Sequence, residues 1–112
     1  DKEVEFAAAP FGVIGMETLL PLVLTELVHG GVLTLSQAIA KLTVNPARVL
    51  GIAKGTLAPG ADADVTLMDP GREWTIDPRR FRSKSRNCPF AGRKVRGKAV
   101  TVVVGGRVHA VE

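Results

Sequence analysis

Residues 42–70, LTVNPARVLGIAKGTLAPGADADVTLMDP, decide the fold, because the hydrophobic period of the chain changes within them. Asn45 before Pro46 pairs a good helix N-cap with the residue best suited to the first helical position. Val49 and Leu50 then lead to Gly51, the residue type that ends helices in the left-handed conformation. A short helix is expected there. Past Gly51 the helical spacing stops. Gly55, Pro59 and Gly60 punctuate the chain, and Val65, Leu67 and Met68 form a short apolar run closed by Asp69-Pro70-Gly71, which predicts a strand over 64–69.

Working outward toward the N-terminus, Leu19, Leu20, Val23, Leu24, Leu27 and Val28 recur at helical spacing, with Pro21 near the first turn and Gly30-Gly31 as a stop; a buried helix is expected from Met16 to Val28. Thr34 and Gln37 have the spacing of a capping box, and Leu35, Ala38, Ile39 and Leu42 give a second helix ending near Thr43. In the other direction, Trp74 and Ile76 alternate with Glu73, Thr75 and Asp77 as a further strand. The basic, proline-containing segment 78–92 follows as an ordered loop tipped by Asn87-Cys88-Pro89-Phe90. Val100 to Val104 and Arg107 to Val111 flank Gly105-Gly106, the two-residue spacing of a tight β-hairpin. Helices first and strands after, without alternation or repeats, indicate an α+β fold with a boundary near Gly51 to Gly60.

The 112 residues are 46% hydrophobic, 23% charged and 4% aromatic, a globular composition that admits one domain. A complete enzyme barrel, which needs roughly 250 residues, is excluded. The lone Cys88 cannot form an internal disulfide, and the start shows no charged and then apolar leader, so a cytoplasmic chain is expected. The longest mainly apolar run, Leu19 to Val28, carries Pro21, Thr25 and Glu26 and falls short of the roughly 20 residues of a membrane span. The opening DKEVEF, with Asp1 in place of Met, reads as the interior of a longer polypeptide, so a truncated or cleaved chain is expected.

Candidate chemistry is sparse. His29, His109, Cys88 and the scattered Asp residues pair at none of the HxH, HExxH or CxxC spacings, so no metal site is visible. His29, beside Gly30, suits the C-terminal end of a helix dipole, and His109 falls on a hairpin face. Cys88 has Lys84 and Arg86 nearby but no histidine near in sequence to act as its base. Net charge is +4, and nine Lys and Arg lie between Arg79 and Lys98 with no acid among them. With Phe81 and Phe90 they could track nucleic-acid phosphates. No nucleic-acid motif accompanies them, which favours a solvated loop whose charges meet acidic groups of a larger protein. In Ala9-Pro10-Phe11-Gly12, Gly12 lacks a Cβ and would let backbone approach a ligand, while Pro10 stiffens the chain. A plain turn into the first helix explains it equally well.

Taken together, APFGVIGMETLLPLVL (9–24), LTVNPARVLGI (42–52), KGTLAPGADADVTLMDP (54–70) and SKSRNCPFAGRKVRGKAVTVVVGGRV (83–108) resemble the C-terminal third of the bacterial type I dihydroorotases. Asn45-Pro46-Ala47 with Leu50-Gly51, and Gly55-x-Leu57-x-x-Gly60-x-x-Ala63-Asp64, are shared across the cyclic amidohydrolase superfamily. Ser83-Lys84-Ser85-Arg86-Asn87 to Pro89-Phe90 with Gly92, and Pro10-Phe11-Gly12 before Gly15-Met16-Glu17-Thr18, look like dihydroorotase itself. Cys88 stands where that pattern more often has threonine, and Ala7-Ala8 replace more polar residues.

The resemblance implies a zinc enzyme that reversibly cyclises N-carbamoyl-L-aspartate to dihydroorotate in pyrimidine biosynthesis, built as a (β/α)8 barrel with a small β-sandwich. Residues 1–54 would be the end of the barrel, with the substrate loop and helices, and residues 55–112 would be strands of the C-terminal sandwich. The family's metal ligands and catalytic Asp precede the resembled segment, so no catalytic or metal-binding residue carries over. Phe11 and Gly12 do, as the loop through which the family contacts substrate. Implied partners are the N-terminal remainder of the enzyme, a second copy in a homodimer, and in some members aspartate transcarbamoylase; neither nucleic acid nor membrane is implied. Because the family's sandwich borrows strands from the N-terminus, a lone 1–112 chain is expected to expose sheet edges and apolar helix faces and to be unstable by itself. An allantoinase or dihydropyrimidinase, or a metal-free dihydroorotase-like scaffold, remains an alternative; Ser83 to Phe90 argues against the former.

Overall fold

The computed structural model describes residues 12–111. Three short helices precede three strands. They are α1 (Leu19–Val23), which widens into a π-type turn over Leu24–Val28, α2 (Leu35–Leu42), α3 (Val44–Leu50), β1 (Val65–Thr75), β2 (Lys94–Val104) and β3 (Arg107–Ala110), with a 3-10 turn at Pro78–Arg80. The strands form one antiparallel sheet in the order β1-β2-β3, so β2 is central and the other two are edges among the described residues. The expected α+β segregation is therefore present.

The expected capping box is complete: the Gln37 amide donates to Thr34 Oγ1 at 3.1 Å and the Thr34 amide donates to Gln37 Oε1 at 2.9 Å. Gly51 closes α3 in the left-handed conformation at φ 69°. The start of α3 differs from the Asn45 cap expected from sequence. Thr43 Oγ1 donates back to the Ile39 carbonyl at 2.7 Å, so α2 runs almost directly into α3 and leaves Asn45 and Pro46 inside the first helical turn. The first helix begins at Leu19, later than Met16, and ends on a widened turn in which the His29 amide reaches the Leu24 carbonyl at 2.9 Å.

The two short strands expected around Asp69-Pro70-Gly71 are one strand, β1, and the turn signal is a bulge within it. The register with β2 runs Asp69↔Lys98 and resumes at Glu73↔Arg96. Proline is tolerated because β1 has β2 as its sole strand neighbour among the described residues and carries an irregularity at that point. β2 begins six residues earlier than the Val100 expected, at Lys94, so part of the basic segment is strand. The hairpin is as expected: Val104 pairs with Arg107, and Gly105 and Gly106 take φ 55° and 80°, the two positive values a type I′ turn requires.

The first helix and the sheet meet closely at Gly97. Leu24 is fully buried against Gly97, where an added Cβ would sit 2.4 Å from Leu24 Cδ1. Beside it the Arg96 amide donates to Thr25 Oγ1 at 2.9 Å, and Thr25 Oγ1 donates to the Arg96 carbonyl at 3.3 Å. Trp74 Nε1 satisfies the Gly97 carbonyl at 2.9 Å, and His29 Nε2 donates to the Pro70 carbonyl at 2.6 Å. A small core of Ile76, Phe81 and Val95 gathers Ile14, Leu22, Trp74, Cys88 and Phe90 around it. Among the described residues Pro21, Leu24, Ala38, Ala47, Ile76, Phe81 and Val95 are buried, whereas thirteen large apolar side chains are exposed, Met16 at 95% and Val49 at 86%.

Candidate functional site

The loop that enters α1 is held by the 82–90 loop from the other half of the chain. Asn87 grips it from both sides: its side-chain Nδ2 donates to the Gly12 carbonyl, and its own carbonyl accepts from the Ile14 amide at 2.9 Å. Glu17 makes a second tether, with Oε1 accepting from the Arg82 amide at 2.9 Å and from the Ser83 amide at 3.4 Å. Ile14 packs on the Ile76, Phe81 and Val95 core between these tethers. Asn87 is itself positioned by its neighbours. Ser85 Oγ accepts from the Asn87 amide at 3.3 Å, and the Arg86 guanidinium donates to the Ser83 and Ser85 carbonyls. The stretch Ser83 to Asn87 is thus a clamp on the chain around Gly12.

Of the two expected substrate-loop residues, Phe11 lies outside the described residues. Gly12 is exposed, and a Cβ there would meet nothing within 4 Å. Steric close approach therefore does not require glycine at this position among the described residues. What the structure fixes is the orientation of the Gly12–Val13 peptide, through Asn87.

The other motif residues are also structural. Asp64 Oδ1 accepts from the Gly105 amide at 2.8 Å and the Ala63 carbonyl accepts from the Gly106 amide at 3.0 Å, so this pair pins the β2–β3 turn. Lys54 bridges Asp62 at 2.7 Å and Asp64 at 2.5 Å. The Asp64 carboxyl is consequently held below its ordinary range, first by the Lys54 ammonium and then by the Gly105 amide. Lys54 is shifted upward by Asp62 and then Asp64. Ala47, the alanine of Asn45-Pro46-Ala47, is buried where α3 is packed.

The remaining candidates are placed apart. Cys88 is half-buried and unpaired beside the core, His29 is engaged with Pro70, and His109 pairs with Val102 on exposed β3. Among the described residues no three His, Cys, Asp or Glu side chains come together in a group that could hold a metal ion. These residues do not fit the zinc that the resemblance implies, and no catalytic step is assigned to them. The basic segment is not one solvated loop: Arg79 pairs with Asp77 at 3.0 Å, Arg93 pairs with Glu26, and Lys98 stacks 5.0 Å from the centre of the Trp74 ring. No helix of the described residues is long and apolar enough to cross a membrane.

Residues 12–109 match the amidohydrolase family over nearly the whole chain. The chain belongs to that family. It is 58% identical over 108 residues to a dihydroorotase of Pelotomaculum thermopropionicum and 52% identical over 108 residues to one of Syntrophus aciditrophicus, in each case across 96% of this chain and 25% of the relative. The chain thus spans about a quarter of the length of the curated relatives it matches. Among solved structures it resembles an L-hydantoinase (dihydropyrimidinase) from Arthrobacter aurescens, with TM-score 0.82 and 38% identity over 88% of this chain and 22% of that one. It also resembles a D-hydantoinase, with TM-score 0.85 and 34% identity over 96% of this chain and 24% of that one. Family membership was legible from the motifs. The clamp was not, because Asn87 and Gly12 are 75 residues apart and no local pattern pairs them.

Proposed function

We propose that this amidohydrolase chain is the C-terminal part of a dihydroorotase, an enzyme that reversibly cyclises N-carbamoyl-L-aspartate to (S)-dihydroorotate in pyrimidine biosynthesis. The observation that carries this reading is the rank of identities: relatives named dihydroorotase stand at 58% and 52%, well above the 38% and 34% of the hydantoinase structures. In this reading residues 1–54 close the end of the barrel and residues 55–112 supply sandwich strands. Phe11 and Gly12 lie on the substrate loop, and Asn87 is a positioning residue that sets the Gly12 peptide. Zinc would take its ligands from the rest of a cytoplasmic enzyme that works as a homodimer, in some settings beside aspartate transcarbamoylase.

The test is turnover by the full-length protein with three substrates: carbamoyl aspartate, dihydrouracil and hydantoin. Cyclisation of carbamoyl aspartate with little opening of the other two rings is expected. Efficient hydrolysis of hydantoin or dihydrouracil alone would refute the reading in favour of the hydantoinases that the fold also resembles. Asn87→Asp removes the Nδ2 donor and faces the Gly12 carbonyl with an anion. Displacing a substrate loop by an ångström costs about 10²-fold, so kcat/KM should fall by roughly 10- to 100-fold. Unchanged kinetics would separate Asn87 from substrate positioning.

A further inference from the structure

Glu17 belongs to the motif Gly15-Met16-Glu17-Thr18, and its carboxylate reaches the basic segment, yet it forms no ion pair among the described residues. Oε1 instead accepts from two peptide amides, of Arg82 at 2.9 Å and of Ser83 at 3.4 Å, 65 and 66 residues away. Ser83 is also where the clamp begins. Its carbonyl accepts from the Arg86 guanidinium, and Asn87 follows directly, donating to the Gly12 carbonyl and accepting from the Ile14 amide at 2.9 Å. Two segments, 12–17 and 83–87, are thus joined at both ends into a closed ring of hydrogen bonds. The turn between Ile14 and α1 is stiff. The Gly15 carbonyl accepts there from the Thr18 amide at 3.2 Å, from the Leu19 amide at 3.0 Å and from the Oγ1 of buried Thr18 at 3.2 Å. A tether at one point fixes where Gly12 lies but lets it swing, whereas tethers at both ends fix its direction as well.

We propose that Glu17 is a positioning residue: by holding the root of the 83–87 clamp against the start of α1 it sets, through Asn87, the direction in which the Gly12 peptide meets substrate. This role rests on the proposed reading of Phe11 and Gly12 as the substrate loop, and Glu17 itself touches no substrate. What the tether needs is an acceptor oxygen at the right reach and not a negative charge, because both donors are uncharged peptide amides. Charge makes such a bond roughly twice as strong without changing where it points. Geometry and charge therefore separate by substitution. Glu17→Gln keeps the reach and loses the charge, whereas Glu17→Asp keeps the charge and falls short by a methylene.

The experiment is steady-state kinetics of the full-length protein carrying Glu17→Ala, Glu17→Asp or Glu17→Gln, with amide hydrogen exchange on the same samples. The substrate is whichever of carbamoyl aspartate, dihydrouracil and hydantoin the unmodified protein turns over. Glu17→Ala and Glu17→Asp should raise KM about 10-fold, the loss of about one hydrogen bond to substrate, with kcat changed less than about threefold. Glu17→Gln should stay within about threefold in both. Exchange should quicken in the Ala and Asp variants at Ser83 and also at Ile14, the far end of the ring. A merely structural Glu17 would instead reduce the active fraction, lowering kcat and leaving KM where it was. That result overturns the proposal. So does Glu17→Gln impaired with Glu17→Asp intact, which would make charge the requirement, and so does faster exchange at Ser83 with Ile14 unmoved, which would make the two tethers independent. Should Glu17→Ala fail to fold, the contrast between Glu17→Asp and Glu17→Gln decides alone. Failure of the proposed function shows separately, in the unmodified protein, as absent turnover of carbamoyl aspartate; turnover of none of the three substrates removes the substrate loop and the proposal with it.

Discussion

Replacing Gly97 with alanine tests the close approach of Leu24 to the central strand. Gly97 holds φ +116°, where an L-residue is strained, and its missing Cβ is filled by Leu24, 2.4 Å from Cδ1 and 3.0 Å from Cβ. Leu24 is fully buried and sits where α1 widens, so it has little room to withdraw. The backbone penalty is about 1–2 kcal/mol and overpacking adds about 1–3 kcal/mol, which sums to about 2–5 kcal/mol. Gly92 provides the control: φ is +81° with nothing within 4 Å, so Gly92→Ala should cost the backbone term alone, about 1–2 kcal/mol. The assay is amide hydrogen exchange on the full-length protein, comparing the peptides that carry Leu24 and Arg96. Gly97→Ala should accelerate opening there by about 30-fold to a few thousand-fold. Leu24→Ala alone should cost about 2–5 kcal/mol, but in the Gly97→Ala background it removes the Cδ1 clash and leaves only the tight contact with Cβ, giving a favourable coupling of about 1–3 kcal/mol. Equal effects of Gly97→Ala and Gly92→Ala, or strict additivity with Leu24→Ala, would refute the close approach.

Thr34→Ala should lower the stability of α2 by about 1 kcal/mol, seen as faster exchange of the Gln37 amide, while Thr34→Asp should keep most of it because an aspartate also caps. Asp64 has a lowered folded pKa, so the stability it adds is complete above its unfolded value of about 3.9 and is lost as pH falls through the lowered folded value. Lys54, raised in the fold, keeps its contribution below its unfolded 10.5 and loses it only above that. Protection of the Gly105 amide should therefore decline on acidification below about pH 4, and Asp64→Asn should flatten that decline; an identical acid profile in the variant would count against the Asp64 pin. An isolated 1–112 chain, with thirteen large apolar side chains exposed among its described residues, is expected to self-associate in size-exclusion light scattering, and a sharp monomeric melt would contradict that.

The elements legible in the sequence are those set by rules acting within a few residues. The Thr34–Gln37 box, the Gly51 terminus and the Gly105-Gly106 turn each carry their own hydrogen-bond or dihedral requirement. What escaped depends on partners far along the chain. The first half of β2 reads as a charged loop because its inward positions hold one valine, Val95, and a glycine, Gly97, whose place is filled by Leu24 from a helix far along the chain. Asp69-Pro70-Gly71 reads as a turn because its signal is local, whereas the bulge is held by pairing to β2 and by His29 from 41 residues away. Thr43 similarly displaces Asn45 as the boundary of α3 by bonding backward to Ile39.

The same distinction governs the candidate site. The Ser83 to Phe90 motif contributes, in the structure, a hydrogen-bonded frame whose Asn87 ends on Gly12 and Ile14. Its anchor is the sheet, since Gly92 donates to the Ile76 carbonyl at 2.8 Å and the Ile76 amide donates to the Arg93 carbonyl at 3.0 Å just beyond the loop. The chain entering α1 is therefore referenced to β1 and β2 through a side-chain amide and through Glu17, with Leu24 and Thr25 fixing the helix to the same strands. A strand substitution that shifts Arg93 or Gly97 should reach Gly12 through these bonds. That is a physical reason for loop and sheet residues to vary together, although they share no neighbour in sequence.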